Sequence, residues 1–128
     1  MMKGDITGPL LLGQKRFSGY DDDRIGIDRI DYRSGLLLHA NEIAAPWGPA
    51  NFDALQLADL EPLLAAPPEL LLLGTGRRTR FPSPEMRTQL AELPFACDWM
   101  DSRSAMRTYN VLSAEGRRVS IALLLPGA

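Results

Sequence analysis

Residues 74–80, Gly-Thr-Gly-Arg-Arg-Thr-Arg, set Gly74, Thr75 and Gly76 beside Arg77, Arg78 and Arg80. Such a combination suits an anion. Glycines let backbone N–H groups approach a phosphate, and arginine meets phosphate or carboxylate with two parallel hydrogen bonds. A dinucleotide-binding turn, however, requires Gly-x-Gly-x-x-Gly with a helix beginning inside the motif. Here the sixth position is Thr79, and Ser83-Pro84 delays the helix to about residue 84. The Gly-Lys-Ser/Thr ending of a nucleoside triphosphate loop is also missing. The competing reading is structural: Gly74 and Gly76 supply positive φ, or close backbone approach, where the chain leaves a buried strand.

A second group of chemically capable side chains stands at Asp101, Ser102, Arg103 and Arg107. If the strands before Gly74 and before Asp101 run parallel, both turns emerge at one edge of the sheet, where open α/β sheets bind ligands. Arg103 and Arg107, four apart, share a helix face. This edge could hold an anion or an acidic peptide. Alternatively, its arginines pair with Glu69, Glu85, Asp98, Asp101 or Glu115, or point into water. Other candidates are thinner. His39, the sole histidine, follows three leucines at a strand end and reads as structural; no nucleophile elbow accompanies it. Cys97 has no second cysteine to pair with and is expected to face the core with Phe95 and Trp99. Asp21, Asp22 and Asp23 read as a solvated acidic turn, and no carboxylate cluster has metal-ligand spacing. No cofactor is implied.

The elements that would position these residues are clearest in the second half. Leucine-rich residues 69–73 predict a strand buried on both faces. A helix is expected over 84–93, with Ser83 as N-cap, Pro84 at the first position and Pro94 as the stop. Residues 95–100 alternate Phe95, Cys97 and Trp99 on one side of a strand. A second helix stacks Ala105, Tyr109 and Leu112 and ends at Gly116, and residues 117–125 supply the last strand. Strand, helix, strand, helix, strand implies right-handed crossovers and an at least partly parallel sheet. The first half reads as β-rich: a strand around Leu10 to Phe17, a hairpin joining 24–31 to 36–40, and a short strand near Trp47. A short helix capped by Asp59 follows.

The chain has 128 residues, one domain's worth, with 45% hydrophobic and 23% charged residues, which excludes wholesale disorder. Its net charge of −2 argues against a nucleic-acid binder driven by global electrostatics. The charge is uneven: residues 1–64 sum to −4 and residues 65–128 to +2, every cation in the second half being arginine. One cysteine precludes an internal disulfide and fits a reducing, cytoplasmic location. No apolar run approaches the ~20 residues of a membrane-spanning helix, so no membrane insertion is expected.

Three stretches in order, LLLLGTGRRTRFPSPEM, MDSRSAMRTYNVL and AEGRRVSIALLLP, resemble the signature of domain-of-unknown-function family 498/598. Its fold is called MTH-like after an archaeal protein, and it includes the mitochondrial NADH:ubiquinone oxidoreductase (complex I) assembly factor 3. The resemblance is specific over about residues 69–126. It implies a three-layer α/β domain over 1–128 with a central mixed sheet, a small extra β layer and helices on the other side. It also implies no established catalytic mechanism, and mitochondrial members that act through other proteins. By position the motif residues are Gly74, Thr75, Gly76, Arg107, Thr108, Tyr109, Asn110, Glu115, Gly116 and Arg117. The N-terminus is not the Arg/Ser-rich, acid-poor segment of a transit peptide, so the chain is similar to a bacterial cytoplasmic relative.

These observations lead to a non-catalytic interaction or assembly-type protein that holds a protein partner. The contact would be the arginine-bearing edge or an exposed apolar patch near Trp47 and Phe52. The alternative is a small-molecule enzyme or sensor binding an anionic ligand between the Gly74–Arg80 loop and Asp101–Arg107. A deep cleft with convergent arginines would favour the alternative; arginines already paired with carboxylates would weaken it.

Overall fold

A computed structural model of the chain describes the backbone of residues 4 and 5 and the whole of residues 13–128. Four short strands, β1 (Gly4–Asp5), β2 (Phe17–Asp21), β3 (Arg24–Ile27) and β4 (Ile30–Tyr32), form an antiparallel sheet in sequence order. Of the strand expected around Leu10 to Phe17, residues 10–12 lie outside the described residues, residues 13–16 are not extended in a sheet, and Phe17 opens β2.

The apolar alternation across 24–31 predicts one strand paired with 36–40, but the chain turns inside it. Asp28 and Arg29 adopt left-handed backbone (φ 51° and 67°), so Ile27 pairs with Ile30. Neither turn position is a glycine or a proline. The turn is held from outside instead: the Asp28 N–H donates to the Arg16 carbonyl at 3.0 Å, and the Arg29 N–H donates to Ser18 Oγ at 3.0 Å. Residues 36–39 leave for a different sheet.

That larger sheet contains β5 (Leu36–His39), β6 (Glu42–Ala44), β7 (Leu70–Gly74), β8 (Ala96–Met100) and β9 (Val119–Leu123) in the spatial order β6-β5-β9-β7-β8. It is mixed, with β7 parallel to both β8 and β9, and β5 antiparallel to β6 and β9. Trp47 lies in no strand; the nearby strand is β6, and the residues after it are too rich in Pro and Gly to stay in a ladder. A 3-10 helix spans Leu57–Leu63, with Gln56 rather than Asp59 as its cap. Asp59 sits three residues in and returns a side-chain bond to the Gln56 N–H at 2.9 Å.

The two-residue period of the strands sends alternate side chains to two cores. Leu36, Leu38, Leu72, Ile121 and Leu123 face the small sheet's Phe17, Tyr20, Ile25 and Ile27 together with Ala105, Met106 and Tyr109 of the helix Ser102–Ala114. Leu37, Leu71, Leu73, Ala122 and Leu124 face Trp47, Leu55, Leu60, Leu63 and Phe95 on the opposite side. The central mixed sheet thus carries the small β layer together with the helix Ser102–Ala114 on one face, while the 3-10 helix and the helix after β7 cover the other, so the expected layer order holds except that the longest helix lies on the small-sheet side.

Two α-helices make the crossovers. Helix α1 (Pro84–Leu90) follows β7, and α2 (Ser102–Ala114) follows β8. The first begins at its expected cap, where Ser83 Oγ accepts from the Met86 N–H at 3.2 Å; the second begins at Asp101, whose Oδ1 accepts from the Ser104 N–H at 2.9 Å. The α2 helix shares the small-sheet side, where Asn110 fastens it to β2. Asn110 Oδ1 accepts from the Phe17 N–H at 3.0 Å, and Nδ2 donates to the Phe17 carbonyl at 2.8 Å.

Candidate functional site

Because β7 and β8 are parallel with Gly74 opposite Met100, the loop after β7 and the first turn of α2 leave the sheet side by side. The expected juxtaposition of Gly74–Arg80 with Asp101–Arg107 is therefore real. What fills it is protein. Thr75 N–H donates to the Met100 carbonyl at 2.8 Å, Gly76 N–H to Ser102 Oγ at 2.9 Å, and Arg77 N–H to the Ala128 carbonyl oxygen at 2.9 Å. Ser102 Oγ in turn donates to the Leu124 carbonyl at 2.7 Å, while the Ser102 N–H donates to the Gly76 carbonyl at 2.9 Å. Thr75 Oγ1 donates to the Arg78 carbonyl at 2.5 Å and accepts from the Arg80 N–H at 3.0 Å. The N–H groups of Thr75, Gly76 and Arg77 are thus spent on stitching β7, α2 and the 124–128 segment together.

The glycines fit that close contact. A Cβ on Gly74 would lie 2.8 Å from Ser102 Oγ, and one on Gly76, whose φ is 101°, would lie 2.5 Å from the Ala128 oxygen. At the helix N-terminus an anion is already in place, since the Asp101 carboxylate takes both the Ser104 N–H and the Ser104 hydroxyl, the latter at 2.7 Å.

The arginines are also engaged. Asp22 receives Arg103 at 2.5 Å and Arg77 at 3.3 Å, and Arg103 donates further to the Pro126 carbonyl at 3.1 Å. Arg80 pairs with Asp53 at 2.5 Å and lies 5.3 Å over the Phe52 ring. Arg103 and Arg107 do share a face: their guanidinium carbons sit 5.4 Å and 5.5 Å from the Tyr20 ring centre, and Arg107 donates to the Tyr20 hydroxyl at 2.5 Å. Arg78 is exposed, with no ion pair among the described residues. Tyr109 is buried edge-on against Phe17, 5.4 Å between ring centres, and burial pushes its hydroxyl pKa up.

The carboxylates that meet the arginines are not the five expected from the second half. They are Asp22, which reads by sequence as part of a solvated turn, and Asp53; Tyr20 and Phe52 supply the aromatic faces. The uneven charge of the two halves, −4 against +2, is the one signal in the chain that points to such cross-half pairing. The expected apolar patch at Trp47 is not exposed. Trp47 is 8% exposed, with Nε1 donating to the Asp59 carbonyl at 2.8 Å. Phe52 is half-buried, edge-on to Trp99 at 5.9 Å.

Open apolar surface lies instead between α1 and β8. A groove of about 350 Å³ is lined there by Phe81, Leu90, Leu93, Phe95 and Trp99, and Phe81 is 62% exposed. Cys97, half-buried, packs with Trp99 against the core that holds Phe95, as expected, and also borders this groove; its burial pushes the thiol pKa up to about 11.

At the opposite end of the sheet, His39 Nδ1 and Ser120 Oγ share a 2.7 Å hydrogen bond beside a cavity of about 360 Å³. Ser120 lies within strand β9 and is 1% exposed, so it lacks the projecting turn that an attacking hydroxyl needs. Among the described residues no group of three His, Cys, Asp or Glu side chains is placed to hold a metal. Nor is any described helix long and apolar enough to cross a membrane.

Comparison with known proteins puts this geometry in a family. An uncharacterized protein of Rhodobacter capsulatus is 40% identical over 94% of this chain and 93% of its own length. The 13 kDa major membrane protein of Francisella tularensis is 29% identical over 84% of this chain and 89% of its own. The solution structure of a Bordetella pertussis protein described as a Mth938-like domain superposes with a TM-score of 0.78 at 26% identity, covering 96% of this chain and 93% of that one. Residues 17–124 match the family model described as "Protein of unknown function (DUF498/DUF598)". The chain belongs to the DUF498/DUF598 family.

Proposed function

We propose that this chain is a non-catalytic interaction domain that acts by holding another protein. The observation that carries the reading is a contrast between two surfaces. At the Gly74 loop, the N–H groups of Thr75, Gly76, Arg77 and Arg80 and the side chains of Arg77, Arg80 and Arg103 are bonded to groups of the chain itself. Beside β8, an apolar groove with Phe81 at its rim is left open to solvent. An anionic small molecule at the loop would have to displace existing bonds; a protein partner at the groove would have to displace only water. This disfavours the ligand-binding enzyme or sensor.

An assembly role of the kind implied by the resemblance to complex I assembly factor 3 is the finer form of the proposal, with a cytoplasmic location. The name of the Francisella relative brings membranes into consideration. We propose attachment through a partner protein, since no described helix is long and apolar enough to span a bilayer.

Thermal unfolding with phosphate, nucleotides, dinucleotides and small carboxylates tests the choice, on wild type and on Arg77→Ala and Arg80→Ala. A ligand at ~100 times its Kd stabilises by about 2.7 kcal/mol, several degrees for a domain of this size. The interaction reading expects no such shift. A shift seen in the wild type and abolished in the arginine variants would make the loop a ligand site and overturn the reading.

A further inference from the structure

Strand β8 is one of the two edge strands of the larger sheet, paired on one side only, with β7. Its backbone directions follow from two bonds. The Ala96 N–H donates to the Glu69 carbonyl, and the Met100 carbonyl accepts from the Thr75 N–H. In a parallel ladder alternate residues face the same neighbour, so Ala96, Asp98 and Met100 are directed to β7. Cys97 and Trp99 are then directed away from it, each presenting one N–H and one carbonyl outward. Among the described residues nothing hydrogen-bonds to these four groups. They border the groove described above, because the side chains of Cys97 and Trp99 lie on its floor.

We infer that β8 is a strand-addition site that accepts, antiparallel, an extended partner segment carrying an apolar-basic-apolar triplet. This rests on the interaction-domain reading and names its partner chemistry. The pattern comes from register. Residues directly opposite Cys97 and Trp99 exchange both hydrogen bonds with them and project to the same face, into the groove lined by Phe81, Leu90 and Leu93. The residue between them lies opposite Asp98 on the other face. Asp98 is exposed and has no ion pair among the described residues. A lysine or arginine there gains a cross-strand partner, whereas an acidic residue meets a like charge.

The same carboxylate argues against a second copy of this chain as the occupant. A two-fold pairing that uses all four outward groups sets Cys97 against Trp99 and Asp98 against its own counterpart. Strand edges of soluble proteins commonly carry a charge that discourages such self-pairing.

Nuclear magnetic resonance of the full chain with capped peptides centred on Val-Lys-Val, on Val-Glu-Val, and on Val-Lys-Val N-methylated at both valines tests the inference. The Val-Lys-Val peptide should shift the amides of residues 95–99 and slow hydrogen exchange of the Cys97 and Trp99 amides at least ~10-fold. Val-Glu-Val should bind about fivefold more weakly, and Asp98→Lys, at an exposed site, should reverse that order. The N-methylated peptide should not bind.

Equal binding of the N-methylated peptide would overturn strand addition while leaving the groove as an interaction surface. Absence of protection at both amides with millimolar peptide would overturn the inference, and the interaction reading would then stand or fall on the ligand panel alone. Concentration-dependent protection of the same amides without peptide would assign the edge to a second copy, and would also overturn it.

Discussion

Replacing Asn110 with leucine, which is similar in volume but cannot hydrogen-bond, should detach the small sheet from α2. Asn110 is 8% exposed and makes both of its described bonds to the Phe17 backbone, across 93 residues of sequence. Phe17 itself is fully buried, so its N–H and carbonyl lose partners that water cannot readily replace. Each hydrogen bond contributes about 1 kcal/mol net, and stranding the buried partners raises the cost. The expected loss is about 2–4 kcal/mol. For a chain of this length, each kcal/mol shifts the midpoint by about 4 °C, so the melting temperature should fall by about 8–16 °C.

Urea denaturation would give the free energy, and hydrogen exchange would follow the Phe17 amide directly. A decrease in the urea slope would show the small sheet opening ahead of the rest. Asn110→Asp supplies a check. Its charged form cannot donate to the Phe17 carbonyl, but its protonated form can, so stability should partly recover as pH falls. A loss below about 1 kcal/mol with the Phe17 amide still protected would refute the clamp, and the role of Asn110 would have to be sought elsewhere.

The close packing of the glycine loop predicts that Gly74→Ala costs about 1–3 kcal/mol through overpacking against Ser102, measurable by denaturant midpoint. Gly76→Ala should cost at least as much, because strain at φ 101° adds to its contact with Ala128. Asp22→Asn should weaken the Arg77 and Arg103 pairs yet cost only about 0.5–1 kcal/mol, since these groups are partly exposed; the difference from wild type should shrink in high salt. With its thiol pKa raised to about 11 by burial, Cys97 should alkylate far more slowly at pH 8 than after unfolding. The folded state then keeps a proton that the unfolded state gives up, so stability should decline as pH rises from about 9 through 11. Cys97→Ala should remove that part of the decline, as read by denaturation at each pH.

What was legible in the sequence is what local chemistry decides. Ser83-Pro84 starts a helix because a side-chain oxygen can meet the free N–H groups of the next turn, and Gly116, with φ 81°, closes α2 because a glycine takes the left-handed backbone that ends a helix. The leucine run at 70–73 and the apolar run at 119–123 announce strands covered on both faces, and together with the helices they dictate the parallel half of the sheet.

Distance in the chain hid the rest. Asp28 and Arg29 turn left-handed because Arg16 and Ser18 hold them, contacts that an alternating IGIDRI pattern cannot reveal. Leu36–Leu38 pairs with β9 at the far end of the chain rather than with residues 24–31. The glycine-arginine loop carries the composition of an anion site, but composition does not say whether its donors are vacant. The Arg77 and Arg103 partner is Asp22, 55 and 81 residues away, and the loop N–H groups end on Met100, Ser102 and Ala128. Local sequence determined which groups could bind, since residue type and spacing set their chemistry. Only the tertiary structure decided which were already bound, because that depends on what the fold brings within about 3 Å of each donor.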